Sequence, residues 1–76
     1  MAKSRAKNLV VCIDNTDYPA SLECRKIYVS LPDPTGERLG MLRVIDESGE
    51  DYLYPKSMFR LIALPLSVKR AVLAAA

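Results

Sequence analysis

Clusters of turn-forming side chains cut this chain into short pieces. Asp14-Asn15-Thr16-Asp17, Pro32-Asp33-Pro34-Thr35-Gly36 and Glu47-Ser48-Gly49-Glu50, followed by Pro55 and Pro65, interrupt every apolar run before it grows into a long helix. None of the pieces approaches the ~20 apolar residues that a membrane span requires, so no membrane association is expected.

The intervening pieces are rich in β-branched and aromatic residues, which suit strands. Residues 8–13 form an apolar run around Cys12 and read as a first strand, followed by a loop that continues through Tyr18 and Pro19. Residues 26–31 alternate, with Ile27, Val29 and Leu31 on one face and Lys26, Tyr28 and Ser30 on the other. That pattern predicts a half-buried second strand with Tyr28 on its polar side. Residues 41–46 place Leu42 and Val44 on one face and Met41, Arg43 and Ile45 on the other. Gly49 supplies the positive φ for a tight reversal, and residues 51–54 return as the fourth strand of a hairpin. Pro55 fixes φ for one helical turn over residues 55–58, and residues 59–64 read as a short closing strand. Beyond Pro65 the alanine-rich residues 66–74 predict a short helix whose loose apolar face is Leu66, Val68, Val72 and Leu73.

The fold class expected is all-β: five short antiparallel strands closed into a small barrel, or packed as two sheets, with one helical turn and a short C-terminal helix. Closure removes open edges, which otherwise pair with other molecules. The chain divides into a basic leader over residues 1–7, a barrel over residues 8–64 and a helix over residues 65–76. With 76 residues in all, one core is the limit.

Composition bounds the chemistry. The chain has no His, no Trp and only Cys12 and Cys24 as sulfur ligands, so neither a four-ligand zinc site nor a histidine relay can be assembled from it. No cofactor is expected and no enzymatic activity. The two cysteines are too few for a disulfide framework, and no apolar cleavable leader precedes them, which makes a reducing cytoplasm the expected setting. Cys12 reads as a buried small hydrophobe and Cys24, beside Arg25 and Lys26, as structural too.

Net charge is +2, but it is unevenly spread. Lys3, Arg5 and Lys7 stand at one end and Lys56, Arg60, Lys69 and Arg70 at the other, with no acid among them. All nine acids lie between residues 14 and 51, where Arg25, Lys26, Arg38 and Arg43 are the only cations. An acidic body repels phosphate, so strong nucleic-acid binding is not expected. The rival reading, a weak nucleic-acid accessory protein, uses Lys3, Arg5, Lys7, Lys56, Lys69 and Arg70 and requires both basic ends to emerge on one side of the barrel. The acids Asp46, Glu47, Glu50 and Asp51 do not follow the spacing of a helix-flanked calcium loop and read as a solvated turn.

The run from Leu42 to Phe59, with Asp46-Glu47-Ser48-Gly49-Glu50-Asp51-Tyr52-Leu53-Tyr54-Pro55 at its centre, resembles the end of an SH3 domain: a strand, a glycine turn, a strand ending in Pro, one helical turn and a final strand. Ser21-Leu22-Glu23 is similar to the stretch by which SH3 domains leave their long first loop. The same central motif also resembles a family of small bacterial proteins of unassigned role. The resemblance implies an SH3-like barrel spanning roughly residues 9–64, and a peptide groove in which Pro55 takes the position of the groove proline and Met58 that of the groove tyrosine. The groove tryptophan falls near Met41 or Leu42, so the aromatic wall that holds a polyproline helix is missing.

Tyrosine combines a large apolar ring with a polar tip, and Tyr18, Tyr28, Tyr52 and Tyr54 are candidates for either an interaction surface or a wetted core edge. The site expected is a shallow surface of Tyr52, Tyr54, Pro55, Met58 and Tyr28, edged by Asp14 and Asp17. Its partner is a protein or peptide carrying an apolar anchor and a flanking Lys or Arg. A small subunit whose C-terminal helix docks on a larger partner or on its own copy is a third option. The sequence leaves pathway, partner identity and oligomeric state open.

Overall fold

In the computed structural model, which describes residues 7–75, five strands form one antiparallel sheet. They are β1 (Asn8–Cys12), β2 (Ile27–Leu31), β3 (Met41–Ile45), β4 (Asp51–Pro55) and β5 (Phe59–Leu61), in the spatial order β4-β3-β2-β1-β5. A 3₁₀ turn (Lys56–Met58) joins β4 to β5, and two helices, α1 (Pro34–Arg38) and α2 (Leu66–Ala75), complete the chain. Lys3 and Arg5 of the expected leader lie outside the described residues.

The sheet is curled into a half-barrel. β4 and β5 are its two ends and are not paired with one another, so the closure expected from the strand count is incomplete. β5 is also shorter than the expected closing strand, although the Ile62 N–H still donates to the Leu9 carbonyl at 3.0 Å and extends the ladder by one bond.

The concave face holds the core. Val10 and Cys12 of β1, Tyr28 of β2, Val44 of β3, Tyr54 of β4 and Phe59 of β5 meet there, joined by Leu22 from the long loop and Met58 from the 3₁₀ turn. Leu42 packs against this cluster, as its shared parity with Val44 predicts. Tyr28 corrects the sequence reading. It is only 5% exposed and faces the core, whereas Ile27 is 40% exposed on the other side. The alternation of β2 is right and its direction is reversed. Alternation identifies which residues share a face but does not say which face is inside. Here the tyrosine ring fills the core and its hydroxyl finds two polar partners at the core's edge, described below.

On the convex face Leu9, Val29 and Ile45 lie in register across three strands. Leu9 and Val29 are buried and Ile45 is half-buried. α2 contributes only partial cover. It matches the expected helix but has no buried residue, and Leu66 and Val68 are largely exposed.

α1 was not expected. The Asp33 carboxylate caps it by accepting the Gly36 N–H at 2.9 Å, and Pro34 sits in the first turn, where a missing N–H costs nothing. Asp33 also receives the Arg43 guanidinium at 2.8 Å, which fixes α1 to β3. Gly36 lets the helix approach β4: a Cβ there would fall 2.8 Å from Leu53 Cδ2.

In the β3–β4 hairpin the Gly49 N–H donates to the Asp46 carbonyl at 3.0 Å, and Gly49 has φ +84° as the reversal requires. A Cβ at Gly49 would meet nothing within 4 Å, so the cost of a side chain there is confined to the backbone. Gly49→Val is expected to lower the unfolding free energy by about 1 kcal/mol or more in a denaturant titration, because a β-branched residue resists positive φ. An unchanged midpoint would contradict this hairpin geometry. The two cysteines give a second expectation. Both are free, Cys12 fully buried and Cys24 exposed, and burial pushes the Cys12 thiol up from its ordinary pKa. Thiol labelling of the native chain at neutral pH should therefore mark Cys24 and reach Cys12 only in denaturant. Rapid labelling of both in native buffer would show the core to be open.

Candidate functional site

Residues 13–26, between β1 and β2, form a long loop that local hydrogen bonds hold in place. Asp14 accepts the Thr16 N–H at 2.9 Å, Asn15 Nδ2 donates to the Leu22 carbonyl at 2.9 Å, and the Leu22 N–H donates to the Tyr18 carbonyl at 3.0 Å. These are the bonds that Asp, Asn and Thr are suited to make with nearby backbone. Leu22 then drives into the core and anchors the loop. At its end Arg25 adopts a left-handed φ of 69°, and its N–H donates to the Cys12 carbonyl at 2.7 Å.

The loop packs against the turn after β3. The Glu47 N–H donates to the Ser21 carbonyl at 3.0 Å, and two tyrosine–carboxylate pairs flank this contact. On one side the Tyr28 hydroxyl accepts the Glu23 N–H at 2.6 Å and donates to Glu47, whose carboxylate also meets Lys26 Nζ at 2.7 Å. On the other the Tyr54 hydroxyl donates to Asp46 Oδ2 at 2.6 Å, while Asp46 Oδ1 accepts the Ser48 hydroxyl and the Ser48 N–H.

These pairs set the local electrostatics. Burial acts to raise the Asp46 pKa, but the bonds from Ser48 and Tyr54 outweigh it and hold the carboxyl below its ordinary value. Lys26 and Tyr28 lower Glu47 in the same sense. Burial first, and Glu47 second, push Tyr28 up; burial and then Asp46 push Tyr54 up to about 12. Each tyrosine stays a neutral donor beside an ionised acceptor, which is the stronger class of hydrogen bond.

Where loop and turn meet, a cleft of about 390 Å³ opens to solvent. Tyr18 and Ser21 line it from the loop, Tyr52 and Ser48 from the hairpin, and the buried Tyr54 and Asp46 form its floor. Tyr18 sets its ring edge-on to Tyr54, centroids 4.9 Å apart, and is 36% exposed; Tyr52 is 49% exposed, with its hydroxyl donating to Glu50 at 2.9 Å. A second cleft of about 610 Å³ lies on the convex face. Ile27, Val29 and Ile45 line it, Lys7 and Lys26 contribute cations, and Leu73 and Ala75 of α2 border it.

The seven residues expected to form one surface are thus divided. Tyr52 and Tyr54 share the smaller cleft, and Tyr28 lines the larger one. Met58 is a core residue, and Pro55 is half-buried at the start of the 3₁₀ turn. Asp14 and Asp17 are exposed; the bond from the Ile13 N–H to the Met58 carbonyl, 2.9 Å, brings the start of the loop beside the 3₁₀ turn. Neither acid lines either cleft. Sequence reasoning missed Ser21 and Ser48 as site residues and treated Asp46 as solvated, when it is 7% exposed. The available signal was Ser48 two residues after Asp46, the spacing of a side chain that bonds its own turn.

Compared with protein-family models, with curated proteins and with solved structures, the chain matches none of them.

The buried pair has a pH signature. A tyrosine whose folded pKa is about 12, against an ordinary value near 10, contributes stability that is complete below pH 10 and lost as pH rises toward 12. Tyr54→Phe should lower the neutral-pH unfolding free energy by about 2 kcal/mol, since Asp46 loses a buried donor, and should flatten the alkaline loss. The depressed Asp46 acts at the other end, its stabilisation present above the ordinary carboxylate range and lost as acid protonates it. Asp46→Asn should therefore flatten part of the acid limb. Thermal melts across the pH range measure both, and parallel wild-type and Tyr54→Phe curves above pH 10 would rule out the Tyr54 assignment.

Proposed function

We propose that this protein is a non-catalytic protein-interaction module on an SH3-like scaffold, and that its contact surface is the cleft between Tyr18 and Tyr52. The observation that carries the proposal is the cleft itself: two exposed tyrosine rings stand over a buried, hydrogen-bonded floor, on a loop and a hairpin pinned to each other. Exposed tyrosines on a rigid support contribute large contact area with little entropy to lose, which is how binding surfaces concentrate their energy. The succession β3, Gly49 turn, β4 ending at Pro55, 3₁₀ turn and β5 supports the SH3-like reading. The groove positions do not carry the contact in this proposal, because Met58 belongs to the core. Two free cysteines support a reducing compartment.

A second reading has one observation in its favour. Lys7 lines the larger cleft and Leu73 and Ala75 of α2 border it, and this nearness of Lys7 to the end of α2 favours the single basic side that a nucleic-acid accessory protein requires. Asp46 and Glu47 line that cleft as well, and an anionic ligand would meet them.

Affinity capture from the host, with the chain tagged at either end, separates the readings. A partner retained through the proposed surface is expected to be lost with Tyr18→Ala and Tyr52→Ala, each costing about tenfold in affinity, and kept with Lys69→Ala. Met58→Ala and Tyr54→Ala are unsuitable tests, because truncating buried side chains of this size costs about 2–5 kcal/mol in stability alone. Submicromolar, sequence-selective binding to RNA or DNA at physiological salt, abolished by Lys69→Ala and indifferent to Tyr52, would replace the first reading with the second.

A further inference from the structure

Four acids crowd the corner between β3 and β4, and they are not equally compensated. Glu47 is held by Lys26 at 2.7 Å and Asp51 by Arg43 at 3.0 Å. Among the described residues, Asp46 and Glu50 have no cation within salt-bridge distance. Their bonds come from neutral donors, Tyr54 and Ser48 for Asp46 and Tyr52 for Glu50. Asp46 lines the tyrosine-walled cleft, and Glu50 accepts the hydroxyl of Tyr52, one of the cleft's walls.

Hydrogen bonds from hydroxyls and amides orient a carboxylate but leave its charge standing. Asp46 is only 7% exposed, so its carboxylate is screened less by solvent and by salt than an open surface charge. A cation entering the cleft meets that charge directly. Tyr18 and Tyr52 line the same cleft with exposed rings, and a flat cation stacks on a phenol ring through the ring quadrupole. The geometry points to one ligand class: the smaller cleft receives a single arginine side chain of a partner protein, its guanidinium between Tyr18 and Tyr52 and directed to Asp46 and Glu50. Arginine fits better than lysine because its planar fork can stack on an aromatic face while donating along its edge to two acceptors, and because it is more weakly hydrated than an ammonium. An anionic or purely apolar side chain has no such match.

The inference rests on the interaction reading above and specifies what the cleft selects. The test uses blocked amino acids as probes, titrated into the ¹⁵N-labelled chain and followed by amide chemical shifts. Nα-acetyl-arginine amide is expected to shift the amides of Tyr18, Ser48 and Tyr52 in a saturable way, with lysine weaker. The citrulline analogue, which keeps the shape and loses the charge, should produce no such shifts. Glu50→Gln, a surface change that leaves the buried Tyr54–Asp46 pair intact, is expected to weaken arginine binding about threefold, and Tyr52→Ala about three- to fivefold. Equal response to arginine and citrulline, or arginine shifts clustered at Lys7, Ile27 and Leu73 instead, would overturn the inference. A silent arginine titration alongside a captured partner that Tyr52→Ala releases would also overturn it, while leaving the interaction reading in place. Loss of both would remove the cleft from consideration altogether.

Discussion

The hydrogen bond from Tyr54 to Asp46 ties the buried end of the β3–β4 hairpin to its turn, across the core edge. Tyr54 lies on an end strand of an unclosed sheet, and Asp46 lies in the turn that creates that strand. An ionised carboxylate in a core edge costs several kcal/mol unless its oxygens are occupied, and here three donors occupy them. The arrangement therefore acts as a condition on the fold. The hairpin must close at Gly49 for Ser48 to reach Asp46, and β4 must run back in register for Tyr54 to do so. The next residue repeats the device, since Glu47 receives Tyr28 from a different strand and gives its N–H to Ser21. Two adjacent acids in one turn thereby fix the long loop, β2 and β4 relative to one another.

That coupling explains what the sequence did and did not disclose. Turn chemistry and strand periodicity are local, and the five strands, the Gly49 reversal and the C-terminal helix all follow from them. The orientation of β2 is not local. Lys26-Ile27-Tyr28-Val29-Ser30-Leu31 alternates with equal regularity whichever side is inside, and what decides the matter is a glutamate 19 residues away and a backbone amide on the loop. The buried face of β2 thus carries Tyr28 and Ser30, a polar-looking pair, while Ile27 remains largely exposed on the convex side. α1 is a different failure. Its signals were present in Asp33 and Pro34, but two prolines and a glycine within five residues also spell a turn, and no period shorter than one helical turn distinguishes the two.

The candidate site was half legible for the same reason. Tyr52 and Tyr54 share parity on one strand and do line one cleft. Their third partner, Tyr18, comes from a loop whose path depends on Asn15 reaching Leu22 and on Leu22 finding the core. Met58 shows the opposite error. It occupies what resembles a groove position, but the chain has no tryptophan to wall such a groove, and with Leu22 and Phe59 beside it in the core cluster its side chain is buried rather than displayed. A surface position in one set of neighbours becomes a core position in another when the large neighbour is missing.

The sheet bears apolar residues on both faces, and this chain does not cover them equally. The concave face is filled by side chains from every strand, whereas on the convex face Leu9 and Val29 are buried, Ile45 is half-buried and Ile27 is open, beside a helix that buries nothing of its own. Stability is therefore concentrated on one side of the sheet, and the tyrosine-lined cleft opens where the concave core runs out. β4 crosses that boundary within three residues: Tyr54 is 4% exposed and bonded to Asp46, while Tyr52, on the same face, is 49% exposed and bonded to Glu50. Identical side chains two residues apart thus do different things, one closing the core and one lining the cleft above it. Because the two hydroxyls use different carboxylates, Tyr52 can change without disturbing the bond on which the hairpin depends. That separation keeps the exposed wall of the cleft apart from the interactions that fold this single-core chain of 76 residues.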